Sequence, residues 1–182
     1  PHGVSELLVS VPDQDGLFAT ITLVLDEMGM DVMSARVLTT EDEMSYDLFQ
    51  VMDQHGNVIN PIDAAEVVER LKAATDEGAP RDFVQRKVPR RLRHFDTATV
   101  VTFRDDPDGG GTVLHLTCHD QPGLLSRIAA AIVRQGLQVH NARIATFGEK
   151  VEDTFLVSRP GQEPLQDEEM VALEKRIHKY LD

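Results

Sequence analysis

Asp120-Gln121-Pro122-Gly123-Leu124-Leu125 is a polar turn set between an alternating apolar run, Val113 to Cys118, and a helical pattern that begins at Leu124. Asp13-Gln14-Asp15-Gly16-Leu17-Phe18 repeats it, between Leu7 to Val11 and another helical pattern. Gly123 lies 107 residues after Gly16, and the same spacing joins Leu7 to Leu114, Ile21 to Ile128, Gly29 to Gly136, Ala35-Arg36 to Ala142-Arg143 and Thr39 to Thr146. It then falls to 106, pairing Asp47 with Asp153, Phe49 with Phe155 and Val51 with Val157. Self-similarity at a fixed spacing means that one unit occurs twice.

The units unfold in the same order. Leu7, Val9 and Val11 alternate with Glu6, Leu8 and Ser10, the period of a strand with one apolar face, and Leu114, Leu116 and Cys118 are their counterparts. Cys118 therefore reads as a buried structural thiol. Leu17, Ile21, Val24, Leu25 and Met28 follow helical spacing, as do Leu124, Leu125, Ile128 and Ile132, and Gly29 and Gly136 end these helices. Second strands are expected around 31–38 and 138–146, with alternation too untidy near Ser34 and Asn141 to assign faces. Third strands place Ser45, Asp47, Phe49 and Val51 on one face, and Val151, Asp153, Phe155 and Val157 on its equivalent.

If the second and third strands form a hairpin, opposite residues have numbers of constant sum. Arg36 opposite Asp47 gives 83 and Arg143 opposite Asp153 gives 296, which centres both turns on polar residues and accounts for the change of spacing. A cross-strand Arg–Asp pair is thus predicted in each unit, a half-buried contact that fixes register. A second helix follows, with stripes Ile62, Ala65, Val68, Leu71 and Met170, Leu173, Ile177, Tyr180, and with Asp63 and Asp167 as N-terminal caps. Thr97 to Phe103 would give the first unit a fourth strand, whereas the second stops at Asp182 with no room for one. The sequence thus predicts an α+β chain of two ferredoxin-like modules, antiparallel sheets with helices on one face, the second lacking an obvious last strand. The modules are expected at residues 1–104 and 112–182, with a basic linker at 79–96 before the first module's last strand.

Composition narrows the partners. The 182 residues hold 31 acidic and 18 basic side chains, a net charge of −13, which opposes broad binding to nucleic acid or an anionic membrane. Arg81, Arg86, Lys87, Arg90, Arg91 and Arg93 gather in the linker, with Phe83 and Phe95 the aromatic residues among them, and read as a solvated or docking segment. One cysteine excludes an internal disulfide and agrees with a reducing cytoplasm. No apolar run approaches the roughly 18 residues that span a bilayer, and no secretory signal opens the chain. Pro1, in place of an initiator Met, suggests a processed chain or a fragment of something longer.

No catalytic signature is visible: there is no phosphate-cradling loop, no Gly-x-Ser-x-Gly elbow, and Gly109 to Gly111 is not followed by Gly-Lys-Ser/Thr. His115 and His119 share one strand face while Cys118 points to the other, so the three do not suit one metal ion. What remains is the repeated turn. A loop entering a helix presents backbone N–H groups suited to a carboxylate, while Asp13 or Asp120 can accept an ammonium, together an amino-acid site. The competing reading is that these aspartates merely cap their helices and the glycines merely turn the chain.

The Asp-x-x-Gly-Leu turn, the strand–helix–strand–strand–helix–strand order and the duplication resemble a tandem of ACT domains, ferredoxin-like modules that bind amino acids and regulate attached enzymes. Asp120 to Leu125, Ala142-Arg143-Ile144, Gly148-Glu149-x-Val151-Glu152-Asp153-x-Phe155 and Arg90 to Phe95 together resemble the C-terminal regulatory segment of bifunctional uridylyltransferase/uridylyl-removing enzymes, which modify the nitrogen-signalling protein PII. The resemblance implies a glutamine sensor acting on attached catalytic domains, with ACT–ACT pairing within or between chains. It implies no cofactor in this segment and Mg in the catalytic part. Carried onto this sequence, the first site uses Asp13, Gln14, Asp15, Gly16, Leu17 and Phe18. The second uses Asp120, Gln121, Pro122, Gly123, Leu124 and Leu125, with Asn141 and Ala142 from a second strand. Asp15 stands where the other turn has Pro122, and its carboxylate would repel an effector's own, which favours the second site. A freestanding tandem ACT protein, or an oligomerisation module without ligand, are the alternatives.

Overall fold

The computed structural model describes residues 3–77 and 98–181. Strand β1 (Ser5–Pro12), helix α1 (Leu17–Glu27), strands β2 (Met30–Thr39) and β3 (Met44–Asp53) and helix α2 (Pro61–Asp76) form the first unit. After β4 (Val100–Asp105) come β5 (Thr112–His119), α3 (Leu124–Val133), β6 (Gln138–Arg143), the short β7 (Thr146–Phe147), β8 (Lys150–Ser158) and α4 (Asp167–Leu181). The eight strands of the described residues join one antiparallel sheet in the order β1-β3-β2-β6-β8-β5-β4, with β7 paired to β8. The fold is α+β, two ferredoxin-like units side by side. Contacts between α2 and α1, α1 and α3, and α3 and α4 set the order of the helix layer.

Burial follows the alternation of the strands. Ser45, Asp47, Phe49 and Val51 are buried, as are Val151, Asp153, Phe155 and Val157, so both third strands present the face read from sequence to the helices. Phe49 and Phe155 are fully buried, and the ring of Phe18 stacks on Phe49 with centroids 5.8 Å apart. Cys118 is buried on the core side of β5, whereas His115, on the other face, has Nδ1 3.0 Å from Thr154 Oγ1. Among the described residues no helix is long and apolar enough to cross a membrane.

The predicted hairpin register holds only at the start of each second strand and then slips. Met30, Asp31 and Val32 face Asp53, Met52 and Val51, the sum of 83, and Gln138 and Val139 face Ser158 and Val157, the sum of 296. The register then shifts between Val32 and Ser34 and between Val139 and Asn141. The extra residues, Met33 and His140, lie 107 apart, so the bulge is itself repeated. Past it Arg36 faces Leu48 and Arg143 faces Thr154, while Val37 and Leu116 lie beside Asp47 and Asp153. The predicted Arg36–Asp47 and Arg143–Asp153 pairs therefore do not form. The arginines are exposed and the aspartates buried, so a one-residue slip sends the partners to opposite faces. The bulges also explain the untidy alternation at Ser34 and Asn141.

Strand β4 corrects a second expectation. It is not the first unit's fourth strand: Val100 to Asp105 pair with Thr117 to Thr112 and complete the second unit, and among the described residues β1 lies at the edge of the sheet. The connection is short, closed by Asp106 N–H to Gly111 O at 3.2 Å and Gly110 N–H to Asp106 Oδ2 at 3.0 Å. A local hairpin closes a smaller loop than a return across the whole linker, and is the less costly pairing in chain entropy. Gly111 lets the turn lie against β8, for a Cβ there would come within 2.5 Å of Val157 O. The basic linker itself lies outside the described residues.

The α4 stripe packs as sequence spacing suggests, whereas α2 is rotated, so that of Ile62, Ala65, Val68 and Leu71 only Leu71 is buried. In α4, Leu173 and Ile177 are buried, and in α2 their equivalents 106 residues earlier are Val67 and Leu71; Ile62, 81 % exposed, and Val68 lie off the stripe. Asn60, not Asp63, caps α2, its side chain accepting from Ile62 and Asp63 N–H with Pro61 in the first turn. Gln166 N–H donates to Glu169 Oε2 at 2.8 Å at the start of α4, which places Asp167 inside the helix rather than at its cap.

Burial gives the two aspartates a common chemistry. Asp47 accepts from Ser45 Oγ at 2.6 Å and Asp153 from Ala145 N–H at 3.3 Å, while the Oδ2 atom of each has no partner. Burial raises the Asp47 carboxyl to about 6 against the lowering effect of Ser45, with Asp13 raising it further; burial raises Asp153 to about 7, with Asp120 adding to it. An acid raised in the folded state leaves stability intact at low pH and removes it as the unfolded chain ionises first, from about pH 4 up to the folded value. The wild type should therefore lose stability relative to Asp153→Asn as pH rises from 4.5 to 7.5. The swing over that window is roughly 3 kcal/mol, because the unfolded carboxyl is already mostly ionised at pH 4.5. Urea unfolding at both pH values measures it, and a difference between wild type and variant that stays constant would refute the buried acid.

Candidate functional site

Each strand-to-helix turn is built the same way. Asp13 N–H donates to Glu43 O at 2.7 Å and Asp120 N–H to Glu149 O at 2.9 Å, so the backbone of the leading aspartate closes the strand ladder. Leu17 N–H then reaches Gln14 O and Leu124 N–H reaches Gln121 O, both at 3.2 Å. The helices begin at Gly16 and Gly123, whose φ values of 76° and 72° lie in the left-handed region that glycine enters without penalty. Neither helix has a side-chain cap. Asp13 and Asp120 are thus not caps, and beyond Leu17 and Leu124, whose N–H groups bond back into the turns, the remaining first-turn N–H groups of α1 and α3 have no intrahelical acceptor and lie close in sequence to a carboxylate.

The remaining predicted residues divide into anchors and polar groups. Leu17, Phe18 and Leu124 are buried and Leu125 half-buried, holding the helix starts to the core. The glutamines tie the turns to the ends of the second helices: Gln14 Nε2 donates to Thr75 O at 3.2 Å and Gln121 Nε2 to Leu181 O at 3.5 Å. Asp13, Asp15, Asp120 and Pro122 are exposed. Asn141 and Ala142 lie on β6 at the junction of the units, where Ala142 is buried opposite Ala35 and Asn141 is exposed opposite Arg36.

That junction brings in residues that sequence reasoning did not reach. A Cβ on Gly123 would come within 3.0 Å of Asp26 Oδ2, at the end of α1, so the second turn abuts the first unit. Asp31, at the start of β2, has its carboxyl raised first by burial and then by Asp120, Asp53 and Asp26. The second turn therefore meets carboxylates across the junction. The equivalents of Asp26 and Asp31 are the uncharged Val133 and Gln138. Among the described residues no group of three or more His, Cys, Asp or Glu is arranged to hold a metal ion.

Arg127 is the other missed residue. Buried in α3, it donates from Nε to Gly123 O at 3.3 Å, from Nη1 to Gln121 Oε1 at 3.3 Å and Tyr180 O at 3.1 Å, and from Nη2 to Pro122 O at 2.6 Å. Its guanidinium binds the second turn to the end of α4. Burial lowers its proton affinity, against the opposing influence of Asp26. The repeat hid it, because the equivalent position is Thr20.

No family model matches the chain. It is 34 % identical over 179 residues to the bifunctional uridylyltransferase/uridylyl-removing enzyme of Acinetobacter baumannii (strain AYE), covering 97 % of this chain and 20 % of that protein. With the enzyme of the same description from Pseudomonas fluorescens (strain SBW25), identity is 36 % over 174 residues, 93 % of this chain and 19 % of the relative. Among solved structures, aspartate kinase from Synechocystis matches 99 % of this chain with 28 % of its own, at a TM-score of 0.50 and 16 % identity, a likeness of fold. The chain thus spans about a fifth of the length of the curated relatives it matches. Over nearly all of its own length it resembles an ACT-like segment of bifunctional uridylyltransferase/uridylyl-removing enzymes, and that likeness supports a regulatory role.

Proposed function

We propose that the chain is an amino-acid sensor, with glutamine as effector, that biases attached catalytic segments between uridylylation of PII and its reversal. The observation that carries the reading is the pair of helix starts at Gly16 and Gly123, each without a side-chain cap and each following an exposed aspartate. The effector's carboxylate accepts from the N–H groups of the helix start and its ammonium meets Asp13 or Asp120, so one turn recognises both charges of an amino acid. Regulation requires the effector to bind one arrangement of the units better than another, and the abutment of the second turn on Asp26 and Asp31 gives it a contact that depends on that arrangement.

A second reading draws on a different surface. Leu8, Leu38, Tyr46 and Leu48 are exposed together on the helix-free face of the first unit, where Leu8 faces Leu48 and Leu38 faces Tyr46. A module that only docks or oligomerises would use that face and need no ligand.

Calorimetric titration of the chain with glutamine, glutamate, asparagine and serine separates the two. The sensor reading expects glutamine-selective binding, weakened at least about tenfold by Asp13→Ala or Asp120→Ala, the scale of one lost charge-assisted contact. No binding by the folded chain, together with self-association lost in Leu48→Ser, would favour docking instead. In a full-length enzyme carrying this segment, the same turn substitutions should raise the glutamine concentration that switches PII from modification to demodification. An unaltered glutamine response would count against control through these turns.

A further inference from the structure

The outer boundaries of the two units differ. In the second, β4 lies against β5, and Val101 and Phe103 pair with Leu116 and Leu114 on the helix side of the sheet. Behind them the core is closed: Leu114, Leu116 and Cys118 are each at most 1 % exposed. In the first unit no described strand pairs with the outer edge of β1, and the equivalents Leu7 and Val11 are only half-buried. Their inner neighbours do not account for the difference, because Leu7 faces Phe49 as Leu114 faces Phe155, and Val11 faces Ser45 as Cys118 faces Val151. What the first unit lacks is the strand beyond.

The equivalence of β1 and β5 extends to their first residues. Ser5 Oγ accepts from Ile59 N–H and Thr112 Oγ1 from Leu165 N–H, both at 2.9 Å, and the repeat relates each residue to its counterpart. β1 also lacks the features that blunt an edge: its eight residues include no Lys or Arg, its pairing with β3 has no bulge, and Pro stands only at the last position. Its outward N–H and C=O groups form a row that an added strand satisfies.

We infer that the edge of β1 seats one further antiparallel strand, supplied by the chain that immediately precedes Pro1 in a longer protein. Two observations name that occupant. Moving Val100 and Asp105 back by the spacing of 107 places the equivalent strand eight to three places before Pro1, joined to β1 by a turn as short as that of residues 106–111. The curated relatives are about five times the length of this chain, which leaves ample chain outside it. A hairpin of that length loses little loop entropy, whereas a strand from a second copy must also overcome the entropy of association. The occupant is an extended segment with apolar side chains two residues apart, which take the places of Val101 and Phe103 beside Val9 and Leu7. Seated there, it joins the attached chain by backbone hydrogen bonds to the strand that ends at the first turn. The inference does not depend on what that turn binds.

Hydrogen exchange of the β1 amides tests the seat, with β5, paired on both sides, as the internal reference. In the 182-residue chain the outward amides of β1 should exchange faster than those of β5. In a full-length enzyme carrying this segment they should slow at least about tenfold. A chain in which residues 100–111 are copied directly ahead of Ser5 should show the same protection, and Phe103→Asp in the copy alone should remove it. Amides of β1 as slow as those of β5 in the 182-residue chain, or fast exchange in the full-length enzyme, would overturn the assignment. Protection that rises with chain concentration would overturn it in favour of a second copy, and an unprotected β1 in the folded grafted chain would show that the edge seats no strand.

Discussion

The pairing of β2 with β6 is the constraint on which the rest depends. Ala35 faces Ala142, Ser34 faces Arg143 and Arg36 faces Asn141. Since Ala35 and Ala142 are equivalents, and Ser34 and Arg36 are the equivalents of Asn141 and Arg143, exchanging the units maps this ladder onto itself. It is the contact of a two-fold dimer made within one chain. Small side chains at its centre let the layers above close, and α1 packs on α3 directly over it. The repeated bulge contributes too: Met33 O, freed from the regular ladder, accepts from Ile144 N–H at 3.1 Å. A feature that displaces the expected Arg–Asp pairs thus helps to join the units.

Much of this was legible in the sequence because the fold is written twice. Two turns with the same Asp-Gln-x-Gly-Leu order, two third strands with Phe49 and Phe155 at equivalent positions, and two helix-ending glycines fixed the element order and the buried faces. What escaped depends on interactions that a spacing cannot carry. A bulge adds one residue to one strand without changing composition, so the register read from Arg36 and Asp47 was correct at Val32 and lost by Ser34. The partner of β4 follows from the relative loop lengths of two alternatives, and chain order alone suggested the wrong one. At the site, the turns could be named but their surroundings could not, because Asp26 and Asp31 reach the second turn only through the junction of the units. Arg127 left no trace in the repeat for the plain reason that it is where the repeat fails.

The buried aspartates show how the same architecture keeps a cost in place. A carboxyl oxygen without a partner in a packed core is unfavourable, and a neutral side chain of similar size would remove the penalty. Both units nevertheless carry the acid at the same position, each electrostatically linked to the aspartate that opens its turn. The charge on Asp13 or Asp120 adds to the burial that raises Asp47 or Asp153, so a cation brought to the turn would favour ionisation of the buried group. Occupancy of a surface loop acquires a consequence inside the sheet.

Duplication within one chain also frees the copies to differ where a true dimer could not. A symmetric pair must place the same residue at both turns, so a guanidinium that braces one turn braces both. Here Arg127 occupies one position and Thr20 the other, Pro122 one and Asp15 the other, and the helix-free face is apolar at Leu8 and Leu48 but polar at their equivalents His115 and Thr154. The second turn is held to α4 by its own cation and faces acids across the junction, whereas the first has an additional acid and a buried hydroxyl without a partner. Two turns of the same backbone conformation thus present different side chains. The backbone gives the two turns one shape, and the few side chains at which the repeat breaks give them different charge and hydrogen-bonding character.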